Sequence, residues 1–117
     1  MSAKNIVVLV SGGGTNLQAL IDAGKRGELG DGKITCVISS KTDAYALTRA
    51  ADNGIKTRVL VRKDYSDIAS YSKAMRDALL EEKADLIVYA GFMTILDENV
   101  CDAFFVGLVL FGRFELV

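Results

Sequence analysis

At 117 residues, 50% hydrophobic and 25% charged, the sequence has the size and composition of one domain, 1–117, that can bury a sizeable core. Fourteen basic and fifteen acidic residues are mixed along the chain for a net charge of −1, which excludes the basic footprint of a nucleic-acid binder. No signal-peptide pattern and no apolar run of bilayer length occurs, so the expectation is a cytoplasmic chain with no membrane partner.

The first predicted element is a buried strand, the apolar run Ile6 to Val10. Ser11-Gly12-Gly13-Gly14-Thr15-Asn16 follows at once, and then Leu17, Leu20 and Ile21 at helical spacing, so the stretch reads as strand, tight turn, helix. A glycine- and charge-rich connector from Gly24 to Gly32 leads to a second strand, Lys33 to Ser39. A helix is predicted from about Asp43 to Asn53, with Ala44, Leu47, Ala50 and Ala51 facing inward and Gly54 stopping it. Thr57 to Val61 makes a short third strand. The longest helix, about Ser66 to Lys83, repeats Ile68, Tyr71, Met75 and Leu79 at three- and four-residue spacing and turns Lys73, Arg76 and Asp77 to solvent. Asp85 to Ala90 is the fourth strand, Asp97 to about Phe105 a short helix, and Val106 to Phe111 a fifth strand. Cys36 and Cys101, on core elements and without CxxC spacing, read as small buried hydrophobes.

Strands alternating with helices imply a mainly parallel α/β sheet of Rossmann type, with helices on both faces and a strand order near 3-2-1-4-5. Ligands gather outside the carboxyl ends of the strands in such sheets. Three strand ends meet there, namely Ser11 to Asn16, Ser39 to Asp43, and Gly91 to Ile95.

Successive glycines add nothing to packing, so the first turn uses them for positive φ or for close approach to the main chain. The amide end of the following helix would hold a phosphate or carboxylate. A ligand-free turn can use the same glycines; Thr15 and Asn16, each able to cap the helix or to donate to an anion, favour the anion. A dinucleotide fingerprint needs a small residue where Leu17 stands and an acid after the second strand, where Ser39-Ser40-Lys41 stands. A P-loop needs Gly-Lys-Ser/Thr after its spacer, and no lysine follows the glycines before Lys25. With no histidine in the chain, the commonest general base near neutral pH and the commonest metal ligand are both missing.

Three segments, IVVLVSGGGTNLQALIDA, VISSKTDAYALTRAADNGI and ADLIVYAGFMTIL, in that order and spacing, resemble the amino-terminal half of the phosphoribosylglycinamide formyltransferase family, over roughly Lys4 to Phe105. The resemblance implies transfer of a formyl group from 10-formyltetrahydrofolate to glycinamide ribonucleotide in purine biosynthesis, with no metal. It places the substrate phosphate on Gly14, Thr15 and Asn16 and the folate pocket on Met93, Thr94, Ile95 and Leu96. Thr94 stands where many relatives carry a basic residue, and the family's arginine before the long helix falls at Ile68, with Arg62 or Lys63 nearest.

In relatives the fifth strand leads into an Asn-x-His-Pro motif that holds the formyl group, and a later Asp assists proton transfer. Here it leads into Phe111-Gly112-Arg113-Phe114-Glu115-Leu116-Val117. Formyl transfer needs an oxyanion stabiliser and a group to take the amine proton, and this tail supplies neither. The expectation is therefore a sheet incomplete at its C-terminal end, no catalytic residue assigned, and no activity from this chain alone. The alternatives are a non-catalytic phosphate-ligand binding module and a structural fragment. An apolar edge at Val106 to Phe111 would pair with a second copy to give a homodimer.

Overall fold

The computed structural model describes residues 4–92 in full, and 105–110 and 113–116 as backbone. β1 (Lys4–Val10), β2 (Gly32–Ser39), β3 (Lys56–Val59), β4 (Leu86–Tyr89), β5 (Phe105–Leu110) and β6 (Arg113–Leu116) form one sheet in the order β3-β2-β1-β4-β5-β6. All neighbours are parallel except β5 and β6, which are antiparallel. The α/β reading and the 3-2-1-4-5 order hold, with β6 added outside β5.

That addition corrects the expected open edge. Gly107 pairs with Leu116 and Leu110 with Arg113, so the backbone groups on the outer side of β5 bond to β6 rather than waiting for another chain. The physical reason given for a homodimer at β5 is thereby removed. Phe105, placed at the end of a helix by its apolar spacing, belongs to β5. The expected helix from Asp97 otherwise lies outside the described residues, as do Cys101 and Phe111.

The alternation along β1 explains why the strand reads as a continuous apolar run. Ile6, Val8 and Val10 face one layer with Val37 and Val88, against Leu17, Leu20 and Ile21 of α1 (Thr15–Lys25) and Ala46 and Ala50 of α2 (Tyr45–Asp52). Val7 and Leu9 face the other layer with Cys36, Ile38 and Ile87, against Tyr71, Met75, Ala78 and Leu79 of α3 (Ile68–Glu81). A central strand buried on both faces has no polar side, and at roughly 25 cal/mol per Å² this burial is the main favourable term of the fold.

α2 is shorter than its periodicity predicts and is rotated relative to it: Ala46 is buried, Leu47 half-buried and Ala51 exposed. Small residues on the inner side let this helix lie close to the sheet and to the first turn. Gly54 ends it with φ +71, and the Gly54 and Ile55 N–H groups return to the Ala51 and Ala50 carbonyls. α3 starts two residues later than expected because Asp67 caps it, accepting the Ser70 N–H at 2.8 Å. It ends in the same kind of turn as α2, but with Lys83 at φ +56 in the position that favours glycine.

α1 and α2 lie on one face and α3 on the other, so the chain winds outward from β1 to β3, then crosses to β4 on the far side of β1. Strand order reverses between β1 and β4. This is the place where open α/β sheets bind ligands.

Candidate anion-binding site at the end of strand β1

Ser11, the first residue past β1, is buried, and its Oγ lies 2.6 Å from Ser40 Oγ. The Ser40 N–H donates to the Val10 carbonyl at 3.0 Å. These bonds fasten the ends of β1 and β2 together, two of the strand ends expected to converge. The chain then exposes Gly12 and Gly13 and enters α1 through Gly14, which has φ 82, ψ 24 and is the N-cap residue.

The capping role open to Thr15 and Asn16 is not realised. Both lie inside the helix as its first residues, and the cap itself is a glycine with no side chain to offer the opening turn. Thr15 is exposed and Asn16 half-buried, so Gly14, Thr15 and Asn16 stand together where the helix dipole is most positive.

α2 shapes the turn from the side. The Ala46 N–H donates to the Gly12 carbonyl at 3.1 Å. Arg49 Nε donates to the Gly13 carbonyl at 2.8 Å and Nη1 to Gln18 Oε1 at 3.4 Å, and its guanidinium lies 5.1 Å from the Tyr45 ring centroid. A Cβ on Gly14 would come within 2.7 Å of Ala46 Cβ and 2.8 Å of its Cα, whereas one on Gly12 or Gly13 would meet nothing within 4 Å. Gly14 thus satisfies both reasons for a glycine, positive φ and close approach, but the approaching group is α2. The open main chain lies at Gly12 and Gly13.

Arg49 and Ala46 went unassigned by sequence reasoning because they are more than thirty residues from the turn. The local signal is the Tyr45–Arg49 spacing, which brings ring and guanidinium together on one helical face.

A second concavity of about 550 Å³ adjoins the β2 end, lined by Ser40, Lys41, Asp43, Arg62 and Lys63 among others. Arg62 is held there, its Nη1 donating to the Tyr65 carbonyl at 3.0 Å and its guanidinium 5.9 Å from the Tyr71 ring. The Tyr71 hydroxyl donates to the Leu60 carbonyl at 2.7 Å, and burial first, then Tyr65, push its phenol up to about 12 while Arg62 opposes the shift. Ile68 packs on the α3 layer of the core. Past β4 the structure reaches Gly91 at φ +72 and Phe92; Met93, Thr94, Ile95 and Leu96 lie outside the described residues. Among the described residues no helix is long and apolar enough to cross a membrane, and no three His, Cys, Asp or Glu side chains group to hold a metal.

The sequence profile of the formyl transferases matches residues 4–110. A phosphoribosylglycinamide formyltransferase of Saccharomyces cerevisiae is 50% identical over 105 residues, covering 78% of this chain and 49% of that protein. One of Haemophilus influenzae is 46% identical over 101 residues, covering 86% and 47%. Among solved structures, the phosphoribosylglycinamide formyltransferase of Brucella melitensis superimposes with a TM-score of 0.84 at 31% identity, covering 92% of this chain and 56% of that one. That of Coxiella burnetii gives 0.83 at 32%, covering 92% and 51%. The chain spans about half the length of the curated relatives it matches.

Proposed function

We propose, on the premise that this chain belongs to the formyl transferase family, that it forms the substrate-phosphate half of a site moving a formyl group from 10-formyltetrahydrofolate to the amine of glycinamide ribonucleotide. The observation that carries this reading is the glycine turn at the end of β1. Its main chain is open at Gly12 and Gly13, and it delivers Gly14, Thr15 and Asn16 to the positive end of α1 beside the point where strand order reverses.

The chemistry defines what each part must do. The substrate amine attacks the formyl carbon and the oxygen becomes an oxyanion; the attacking nitrogen gives up a proton, the folate nitrogen takes one up, and the oxyanion collapses to break the bond to that nitrogen and release tetrahydrofolate. Holding the ribose phosphate at Gly14, Thr15 and Asn16 fixes the far end of the nucleotide, so that the amine is presented to the formyl group in one orientation. Met93, Thr94, Ile95 and Leu96 take the folate side of the pocket in this reading. It carries a cytoplasmic location with it.

For these 117 residues by themselves, a phosphate-ligand binding unit is the reading we favour. They contain no histidine, and Ser11 to Leu17 carries no carboxylate or lysine to take a proton from an amine near neutral pH. Titration with inorganic phosphate and with glycinamide ribonucleotide, followed by amide chemical shifts, tests the site. The largest changes should fall in Ser11 to Leu17 and weaken with added salt. Changes centred elsewhere would show that the turn only reverses the chain.

A further inference from the structure

We propose that Arg49 is a positioning residue for the anion-binding turn: from α2 it holds the Gly13 carbonyl so that the Gly14 N–H is turned outward to meet a phosphate. The inference rests on the phosphate reading of the turn given above.

The argument comes from peptide geometry. No cis peptide bond occurs among the described residues, and in a planar trans peptide the C=O and the following N–H point in opposite directions. The Gly12 carbonyl is drawn toward α2 by the Ala46 N–H, so the Gly13 N–H points away from α2. Likewise the Gly13 carbonyl is drawn toward α2 by Arg49 Nε, so the Gly14 N–H points away as well. Neither of these amides has an acceptor among the described residues. Two consecutive N–H groups facing the same side form a small concave donor pair, of the kind that receives an anionic oxygen.

Without the pins, glycine peptides rotate freely, since each glycine reaches positive and negative φ with similar ease. A flipped Gly13–Gly14 peptide would present a carbonyl oxygen to the phosphate, replacing attraction by repulsion. Ala46 acts through its backbone N–H, which no side-chain change short of proline would remove. Arg49 acts through a side chain fixed at three points, the Gly13 carbonyl, Gln18 Oε1 and the Tyr45 ring, and so is well suited to stop that rotation. It also places a positive charge beside the turn.

Phosphate affinity should be measured by amide-shift titration with inorganic phosphate for the parent chain, Arg49→Met, Arg49→Lys and Arg76→Met. Arg49→Met should bind about tenfold more weakly, as expected from losing one charge-assisted hydrogen bond that orders the site, and its Gly13 and Gly14 amides should no longer give the largest shifts. Arg49→Lys keeps the charge but not the planar three-point fixation, and should still lose about threefold. Arg76→Met, the same charge change on the exposed side of α3, should bind like the parent.

If Arg49→Lys matches the parent in affinity and in shift pattern, charge alone matters and the positioning role is refuted; this holds even if Arg49→Met does not fold. An unchanged Arg49→Met refutes it equally. In both cases the phosphate reading of the turn stands. If the parent itself shows no phosphate-dependent shifts in Ser11 to Leu17, the phosphate reading fails first and takes this role with it.

Discussion

Gly14→Ala adds one methyl group, and the structure says where it would go. The new Cβ would lie 2.7 Å from Ala46 Cβ, 2.8 Å from Ala46 Cα and 3.1 Å from Arg49 Cδ, at a residue held at φ +82. The left-handed conformation costs an L residue about 1–2 kcal/mol, and overpacking a close contact costs about 1–3 kcal/mol, so the expected loss is about 2–5 kcal/mol. Arg49 Cδ can swing aside, but the Ala46 Cα belongs to a helix packed on the sheet and cannot move without carrying α2 with it. Gly13→Ala is the matched control. Its Cβ meets nothing and its φ is not positive, so stability should stay within about 0.5 kcal/mol of the parent. Urea unfolding of the pair gives both numbers from the midpoint shift at constant slope. A Gly14→Ala chain as stable as its parent would refute the close approach of α2. Phosphate titration of the same pair separates fold from site: a phosphate seated on the open main chain should be hindered by Gly13→Ala in a chain that remains fully folded.

Lys83→Gly should stabilise the chain by about 1 kcal/mol, because Lys83 takes the left-handed position of the α3 terminal turn that Gly54 occupies in α2; a lower melting temperature would refute this. Glu82 accepts from Lys56 at 2.8 Å and from Arg58 at 3.0 Å, and the Lys56 bond leads in holding its carboxyl below the usual range. With a folded value below the unfolded one, its contribution is present above the ordinary carboxylate pKa of about 4.3 and is lost as pH falls below it through the folded value. Glu82→Gln should therefore flatten the acid limb of the stability curve while costing about 1–2 kcal/mol at pH 7. Tyr71→Phe should cost about 1–2 kcal/mol, since the Leu60 carbonyl loses its 2.7 Å donor; an unchanged unfolding midpoint would mean water replaces the hydroxyl. A formyl-transfer assay on the 117-residue chain should give no turnover, and sustained turnover by homogeneous protein would show that a carboxylate or lysine replaces the missing histidine.

Much of this protein is written locally. The run Ile6 to Val10 reads as a strand buried on both faces because neither of its alternate sides carries a polar residue, and both layers of the core draw on it. Gly54 marks the end of α2, and the three- and four-residue spacing of Ile68, Tyr71, Met75 and Leu79 marks the inner side of α3, because capping and periodicity depend on neighbours in the chain. The α/β order followed from the alternation of those elements, and the matched segments pointed to the family.

Tertiary structure decided whatever depends on distant groups meeting. Ala46 rather than Ala51 faces the core because α2 is rotated by what it packs on, and a short alanine-rich helix has too weak a pattern to specify its own rotation. β5 is an inner strand because Arg113 to Leu116 returns beside it, a pairing that two short runs do not announce. At the candidate site the glycines, Thr15 and Asn16 were legible, but the reason Gly14 must be glycine was not: it lies in Ala46, across the fold. The amides that face outward at the turn do so because their carbonyls are bound from α2. A glycine turn has no conformation of its own to impose, so the helix that packs against it sets which way its donors point.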